Sequence, residues 1–248
     1  AGLGAWLGLR ILRQSSAFPA PVAVMPLAAD KSYGVTADLS RLSPAERDAA
    51  LRRMGDLNVR WLRQAFPWSE IEPRRGEFNW SPWDDVVAAA TQHGLQIVAV
   101  LDTSPPWARP AETPLHTPPT ELADFGAFAR ALAERYGDRV DAYQVWDEPN
   151  LSSHWGNRYV EPRGYARLLR EAAISIRQSD PAAIIVTAAL APTVERGPLN
   201  LNEMDFLDQL YRSHADEWFD VVAIQPFGFA APPDQSPAAG VLNFRRTT

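Results

Sequence analysis

The chain has 248 residues, of which 46% are hydrophobic and 22% are charged, so its composition is that of a globular protein and excludes a disordered or collagen-like chain. Its 30 acidic and 24 basic residues give a formal net charge of −6, which argues against a nucleic-acid-binding surface. The chain contains no cysteine, which excludes disulfides, thiolate zinc sites and a cysteine nucleophile, and its four histidines do not have metal-ligand spacing.

The first 32 residues differ in character from the rest of the chain. Residues 1–12 are apolar apart from Arg10, but this segment is too short to cross a bilayer, which takes about 20 residues. Prolines interrupt residues 18–26. We predict that residues 1–32 form an N-terminal extension, either a packing segment or the remnant of a membrane anchor or signal. The domain itself is predicted to cover residues 33–248.

From residue 33 onward, apolar runs with strand character alternate with amphipathic helices. The six predicted strands cover residues 33–39, 59–64, 95–102, 140–146, 184–190 and 219–226. The predicted helices begin at Ser43, Ser81, Thr120, Arg163 and Asn202. Ser43 and Ser81 are each followed by proline and are expected to cap their helices, and Gly94 has the position of a glycine that ends a helix.

The predicted helices carry apolar stripes at helical spacing, and these stripes are expected to face a core. In the third helix the stripe consists of Phe125, Phe128, Ala129, Leu132 and Tyr136. In the last helix the residues predicted to point inward are Phe206, Leu207, Leu210 and Tyr211.

Six strand–helix alternations predict an α/β protein, either an open doubly wound sheet or a closed barrel. The barrel is favoured because no glycine-rich phosphate loop follows the first strand, and because polar and aromatic residues gather after the strand ends, where barrel active sites are built. We predict a (β/α)8 TIM barrel with about six units present, since a full barrel takes about 250 residues. The sequence is then expected to be a fragment of a longer chain, or another element closes the open edges of its first and sixth strands.

The most informative segment is Tyr-Gln-Val-Trp-Asp-Glu-Pro-Asn at residues 143–150. A buried strand ends in two acids, and Pro149 stops the ladder and holds Glu148 at the barrel mouth. Adjacent acids are most often a solvated loop pair, but a tryptophan on each side of this pair favours a functional site. Here the sequence resembles the clan A glycoside hydrolases, family 39-like and family 5-like, which carry Trp-Asn-Glu-Pro at this point with the glutamate as acid/base.

Three further segments match the same family in the same order along the chain. Residues 68–80 resemble the loop that follows the second strand, and residues 103–108 resemble the Pro-Pro-Trp loop after the third strand. Residues 225–228 read Gln-Pro-Phe-Gly where the family usually reads His-Pro-Tyr-Gly.

The resemblance implies retaining hydrolysis of a β-linked oligo- or polysaccharide by two carboxylates about 5–5.5 Å apart, with no metal and no organic cofactor. It implies that Glu148 is the general acid/base, and the family's nucleophile, a glutamate that ends the seventh strand, is not in this sequence. The residues implied to bind substrate are Arg63, Trp68, Trp107, Asp147, Asn150, Trp155, Gln225 and Phe227.

Several of these residues have a second interpretation. Arg63 matches a family arginine that orients the nucleophile, or it is a surface residue paired with Glu70 or Glu72. The tryptophans are sugar-stacking platforms or packing residues, because an indole suits both roles. Asn150 ties down its loop or touches sugar, and Glu72 is expected to be a structural hydrogen-bond acceptor.

Three departures from the family pattern keep other functions open. Asp147 replaces an asparagine whose amide donates to the sugar, and its charge is expected to raise the pKa of Glu148. Gln225 and Phe227 replace the family's histidine and tyrosine. The alternatives are an inactive barrel that binds glycans and a membrane-associated accessory subunit that uses the barrel as a packing module. The partner is predicted to be carbohydrate rather than nucleic acid, a protein partner is possible at the open barrel edge, and the location is predicted to be extracellular or tethered to a membrane through residues 1–32.

Overall fold

The computed structural model describes residues 33–227, in which parallel strands alternate with helices. The strands are β1 (Gly34–Thr36), β2 (Trp61–Pro67), β3 (Gln96–Asp102), β4 (Ala142–Val145) and β5 (Ile184–Val186). The helices are α1 (Pro44–Asp56), α2 (Trp68–Ile71), α3 (Ser81–Gln92), α4 (Leu122–Tyr136), α5 (Pro162–Ser179) and α6 (Glu203–Arg212). Short 3-10 turns lie at Leu39–Arg41, Ser152–His154 and Ala215–Glu217.

The strands pair in the order in which they occur along the chain, β1-β2-β3-β4-β5, and every pairing between them is parallel. A doubly wound sheet would reverse its strand order at a switch point, and this sheet contains no reversal among the described residues. The sequential order is that of a barrel, in which each unit is added beside the one before it. The carboxyl ends of the strands therefore lie along one edge, and the loops after β2, β3 and β4 meet there.

The predicted fifth and sixth strands differ from the structure. β5 ends at Val186. The Thr187 amide then donates to the Val221 carbonyl, and the Ala188 amide donates to the Tyr165 hydroxyl at 2.5 Å instead of to β4. The segment 219–226 forms only isolated bridges within the described residues, Val186 with Val221 and Leu190 with Ile224. The expectation about open edges depends on this region and stays a prediction.

The core lies between the sheet and the helices, and the predicted stripe of α4 is confirmed. Phe125, Phe128, Ala129, Leu132 and Tyr136 are all buried. Helix α5 packs on α4 closely enough that a Cβ added at Gly126 would lie 2.7 Å from the Ser175 hydroxyl oxygen. The prediction for Tyr211 in α6 is wrong: the side chain is 47% exposed, and its ring contacts Phe219 edge-on with centroids 6.0 Å apart at the surface.

Two predicted helix caps have different outcomes. Ser43 forms the complete capping box with Glu46 at the start of α1. Ser81 is the first residue of α3 rather than its cap, and Trp80, which precedes the helix, makes no side-chain capping bond.

Replacing these two serines tests the difference. We expect Ser43→Ala to lower the free energy of unfolding by about 1 kcal/mol, because the Glu46 amide loses its side-chain acceptor. Ser81→Ala is expected to change it by less than about 0.5 kcal/mol, as is usual for a surface substitution. Urea unfolding of both variants measures the two values, and equal losses would contradict the assignment of the caps.

The predicted extension over residues 1–32, with its anchor or signal, lies outside the described residues, as does Gly228 of the family motif. Within residues 33–227, no helix has the length and apolar content needed to cross a membrane.

Candidate active site

The candidate site lies at the carboxyl edge of the sheet, where Asp102 ends β3 and Asp147 and Glu148 follow β4. The backbone after β4 is unusual, because Trp146 has φ +68° and Glu148 has φ +49°, both in the left-handed region that side chains rarely adopt. Thr103, directly after Asp102, has φ +61°. Strained residues of this kind cluster at functional sites, where the surrounding contacts hold them in place.

Backbone and side-chain contacts hold the loop that carries Glu148. The Glu148 amide donates to the Ala189 carbonyl at 3.2 Å. Asn150 is fully buried, donates to the carbonyls of Ala191 and Leu201, and accepts from the Ala191 amide. Asn150 therefore ties down its loop, which was one of its two predicted roles. Its buried amide is not available to a sugar. The Trp146 indole donates to the His154 carbonyl at 2.9 Å, which closes the loop on itself.

Asp147 is the meeting point of three segments. Its Oδ1 accepts from Arg63 of β2 at 2.7 Å, from Gln144 of β4 at 3.1 Å and from Gln225 at 3.4 Å. Arg63 also donates to Gln144 Oε1 at 2.9 Å. The structure thus brings Arg63, Asp147 and Gln225 together, and it excludes the interpretation of Arg63 as a surface partner of Glu70 or Glu72.

The tryptophans occupy packing positions. Trp68 is fully buried between Phe125 and Phe128, and its indole donates to Glu72 at 2.7 Å, which confirms Glu72 as a structural acceptor. Trp155 is 1% exposed. Sugar stacking by Trp68 and Trp155 is therefore wrong, because neither ring face can be reached from the mouth.

Trp107 and Phe227 keep accessible surface. Trp107 is partly buried, donates to the Glu72 carbonyl at 3.0 Å, and carries the Arg75 guanidinium 4.4 Å above its ring. Phe227 is 52% exposed. Sugar contact by Trp107 and Phe227 stays a prediction.

The Glu148 carboxyl is 18% exposed and lies among both positively and negatively charged side chains. Burial raises the pKa of Glu148 above its ordinary value, and the negative charge of Asp147 adds to this shift, as the sequence predicted. The charges of His154 and Arg63 and a hydrogen bond from Gln225 act in the opposite direction. A carboxyl with a raised pKa keeps its proton closer to neutral pH, which is the state needed for a general acid.

Sequence reasoning missed three residues of the site. Burial raises the pKa of Asp102 to about 7, with Asp147 adding to the shift and Arg63 opposing it. The imidazole of His116 lies 4.0 Å from Asp102 and stacks on that of His154, with ring centroids 4.7 Å apart. An acid at the carboxyl end of a buried strand was a usable signal for Asp102, but no local pattern marked either histidine.

The raised pKa of Asp102 predicts a pH-dependent stability. Because the folded pKa of about 7 exceeds the ordinary value of 3.8, the folded protein holds a proton that the unfolded chain releases between these two values. The carboxyl therefore lowers stability progressively as the pH rises through this window. We expect Asp102→Asn to raise the free energy of unfolding by on the order of 3 kcal/mol at about pH 8 and by little at about pH 4.

Urea unfolding at the two pH values measures this difference. Asp138→Asn is the matched control, because the Asp138 side chain is 81% exposed, and it should give the same stability change at both pH values. A gain for Asp102→Asn that is independent of pH would contradict the raised pKa.

Within residues 33–227, no group of three or more histidine or acidic side chains is arranged to hold a metal ion.

Comparison with known proteins gives three sets of matches. A family model for glycoside hydrolase 42, described as beta-galactosidase, matches residues 41–124. Beta-glucosidase 5 of Oryza sativa subsp. japonica is 30% identical over 108 residues, which are 42% of this chain and 21% of that protein. Endo-1,4-beta-xylanase 1 of Gibberella zeae is 37% identical over 70 residues, 28% of this chain and 20% of that protein.

Solved structures match over more of the chain. A family 39 glycoside hydrolase from Bacteroides cellulosilyticus WH2 superposes with a TM-score of 0.66 at 18% identity, over 86% of this chain and 42% of that one. A monomeric beta-xylosidase from Caulobacter crescentus CB15 gives 0.61 at 21% identity, over 79% and 41%. The chain is thus similar to glycoside hydrolases in part of its sequence, and its fold is similar to that of a family 39 glycoside hydrolase.

The fold of the described residues is thus a partial TIM barrel, and the predicted fold class is confirmed. The chain spans about a fifth of the length of the two curated relatives and about two fifths of the length of the two solved ones.

Proposed function

We propose that this chain supplies the acid/base half of a retaining glycoside hydrolase that acts on a β-linked oligo- or polysaccharide. The observation that carries the proposal is the placement of Glu148, a mostly buried carboxyl with a raised pKa, held at the mouth of a barrel by a strained loop. A general acid needs this combination of access and retained proton. The relation to clan A glycoside hydrolases supports the same role.

The proposed reaction has two steps. In the first, Glu148 gives its proton to the glycosidic oxygen as the bond from that oxygen to C1 breaks and a second carboxylate bonds to C1. In the second, the Glu148 carboxylate takes a proton from water as the water oxygen bonds to C1 and the glycosyl–enzyme bond breaks. The second carboxylate is not among the described residues, so the proposal assigns it no residue.

The ion pair between Arg63 and Asp147 fixes the position of the loop after β4 relative to β2 at the proposed site. Both side chains are about three-quarters buried, and their 2.7 Å contact places a fixed positive charge beside the carboxyl edge of β4. We propose that Arg63 and Gln225 orient the groups at the mouth, while Asp147 keeps the pKa of Glu148 raised. The names of the relatives point to xylose, glucose and galactose as the sugars to test.

The stereochemistry of the product tests the proposal. The native polypeptide that carries this chain is incubated with 4-nitrophenyl β-xyloside, β-glucoside and β-galactoside, and the anomer formed first is followed by ¹H NMR. Release of the β-anomer before mutarotation is the result expected of a retaining enzyme. First release of the α-anomer would overturn the retaining mechanism. A lack of turnover with every β-glycoside, oligosaccharides included, would overturn the proposed enzyme activity.

An inactive glycan-binding barrel is the second candidate, and one observation favours it. The position that supplies an amide in the family carries Asp147 here, and Oδ1 of this side chain already accepts from three donors. This candidate predicts saturable binding of oligosaccharides, measured by calorimetry, without release of any product.

A further inference from the structure

Two histidines from different loops stack beside Glu148. The rings of His116 and His154 have centroids 4.7 Å apart and planes inclined by 28°. His154 Nε2 lies 3.4 Å from Glu148 Oε2, and His116 Nε2 lies 4.0 Å from Asp102 Oδ2. The stacked pair therefore lies between two carboxyl groups, one at the end of β3 and one after β4.

Backbone contacts fix the two loops relative to each other. The His154 amide donates to the Leu151 carbonyl and its carbonyl accepts from the Trp146 indole. Gly156 has φ +79°, and a Cβ added there would lie 2.8 Å from the Thr117 hydroxyl oxygen. This close approach of Gly156 to Thr117 brings the adjoining His116 over the ring of His154.

Electrostatics disfavours a positive charge on both rings at the same time. Two cations 4.7 Å apart repel strongly in a site that is mostly shielded from water. Burial lowers the pKa of His116, and the charge of His154 lowers it further, while Asp147 opposes both. His154 Nδ1 is buried with no hydrogen-bond partner among the described residues, so a proton there would be an unpaired buried donor. In the favoured arrangement the single N–H of His154 is therefore on Nε2, the nitrogen that lies 3.4 Å from Glu148 Oε2.

We propose that His154, limited by the stacked ring of His116, is a positioning residue that holds Oε2 of Glu148 through Nε2–H and leaves Oε1 to carry the catalytic proton. The inference deepens the proposed function and rests on it. His154 transfers no proton in either step, because it donates the same N–H to the neutral carboxyl and to the carboxylate. Its effect is to select the oxygen that is protonated and to stabilise the charge that appears when that proton leaves.

Other charged groups surround the two histidines and contribute to the electrostatic potential at their rings. They are Arg63 on β2, Asp102 on β3, Asp147 after β4 and Glu70 on α2, which acts on Asp102. Gln225 faces Glu148 from the segment 219–226 and contributes a neutral hydrogen bond.

The carboxyl titration of Glu148 tests the proposal directly. Glutamate is labelled with ¹³C at its side-chain carboxyl in the native polypeptide, and the Glu148 signal is assigned by its loss in Glu148→Gln. We expect His154→Phe to move the titration to higher pH by about 0.5–1 unit, because the Glu148 carboxylate loses a hydrogen-bond donor. His116→Phe is expected to move it to lower pH by a few tenths, since the electrostatic repulsion between the two rings is then removed.

The opposite signs of the two shifts identify a coupled pair. His154→Gln keeps a neutral donor and should give a smaller upward shift than His154→Phe, whereas a purely structural role would give no such order. His93→Phe is the control, since His93 contacts Asp48 at the far end of α3 and should leave the titration unchanged. Shifts of the same sign for the two phenylalanine variants, or no shift in either, would overturn the proposal.

The readout separates this proposal from the proposed function. If Glu148→Gln retains full turnover, the function assigned to Glu148 fails while the carboxyl titration still reports on the histidine pair. If the enzyme is active and the Glu148 titration does not respond to replacement of either histidine, only the proposal about the histidine pair fails. In the active enzyme, the alkaline limb of kcat/KM should move with the carboxyl titration in each variant.

Discussion

Replacing Glu148 by glutamine is expected to lower kcat/KM for a phenyl β-glycoside by about 10²–10⁴-fold, because the amide cannot transfer a proton to the leaving oxygen. A 2,4-dinitrophenyl glycoside needs no such proton, so bond cleavage with this substrate should change much less. The pKa of Glu148 is raised by burial and by Asp147, and the protonated form is the active one. The alkaline limb of kcat/KM in the parent protein should therefore lie above the ordinary range of a glutamate, and it should disappear in Glu148→Gln.

Steady-state kinetics with the two aryl glycosides measures this contrast. Glu121→Gln is the matched control, because Glu121 is an exposed residue before α4 and should leave both rates unchanged. Azide can attack the glycosyl–enzyme without general-base help, so it should raise the rate of Glu148→Gln and not that of the parent. Equal losses with both leaving groups would mean that Glu148 has a role other than proton donation.

Replacing Trp68 by alanine is expected to lower the free energy of unfolding by about 3–5 kcal/mol, since a fully buried indole leaves a large cavity. The change also leaves the buried carboxylate of Glu72 without its 2.7 Å donor, which adds to the loss. Trp68→Phe keeps most of the volume and removes only the donor, so it should cost less. Because the ring is not reachable from the mouth, KM for glycosides should be unchanged in folded Trp68→Phe.

Trp107→Ala provides the comparison, since this ring is only partly buried and contacts Trp68 edge-on with centroids 5.3 Å apart. We expect a loss of about 1 kcal/mol for Trp107→Ala. Urea unfolding gives the three stabilities, and glycoside kinetics on the folded variants gives KM. A Trp68 variant with normal stability and a raised KM would contradict the packing role.

The sequence predicted the parts of this protein that depend on local patterns. The spacing of Phe125, Phe128 and Tyr136 predicted the buried face of α4, and the spacing of Ser43 and Glu46 predicted the cap of α1. These features need only the chain within one or two turns, so their signals are complete in the sequence. The position of Glu148 followed from a buried strand that ends in acids and proline.

The remaining features depend on distances between segments. The histidines at 116 and 154 are brought together by the approach of Gly156 to Thr117, and a single sequence does not give that distance. Trp68 and Trp155 follow strand ends exactly as a sugar platform would, and only the packing of α4 and α5 against them decides that they are buried. The end of β5 is likewise set by a distant side chain, Tyr165.

The unbroken strand order has a consequence for how the site is made during synthesis. Each strand from β2 to β5 needs only the strand before it as a template, so the sheet can grow in the direction in which the ribosome delivers the chain. The ion pair between Arg63 and Asp147 can form when β4 docks, before β5 has emerged. In that order of assembly the ion pair would form first, and the later hydrogen bonds of Glu148 to Ala189 and of Gln225 to Asp147 would fasten a loop that already has its orientation.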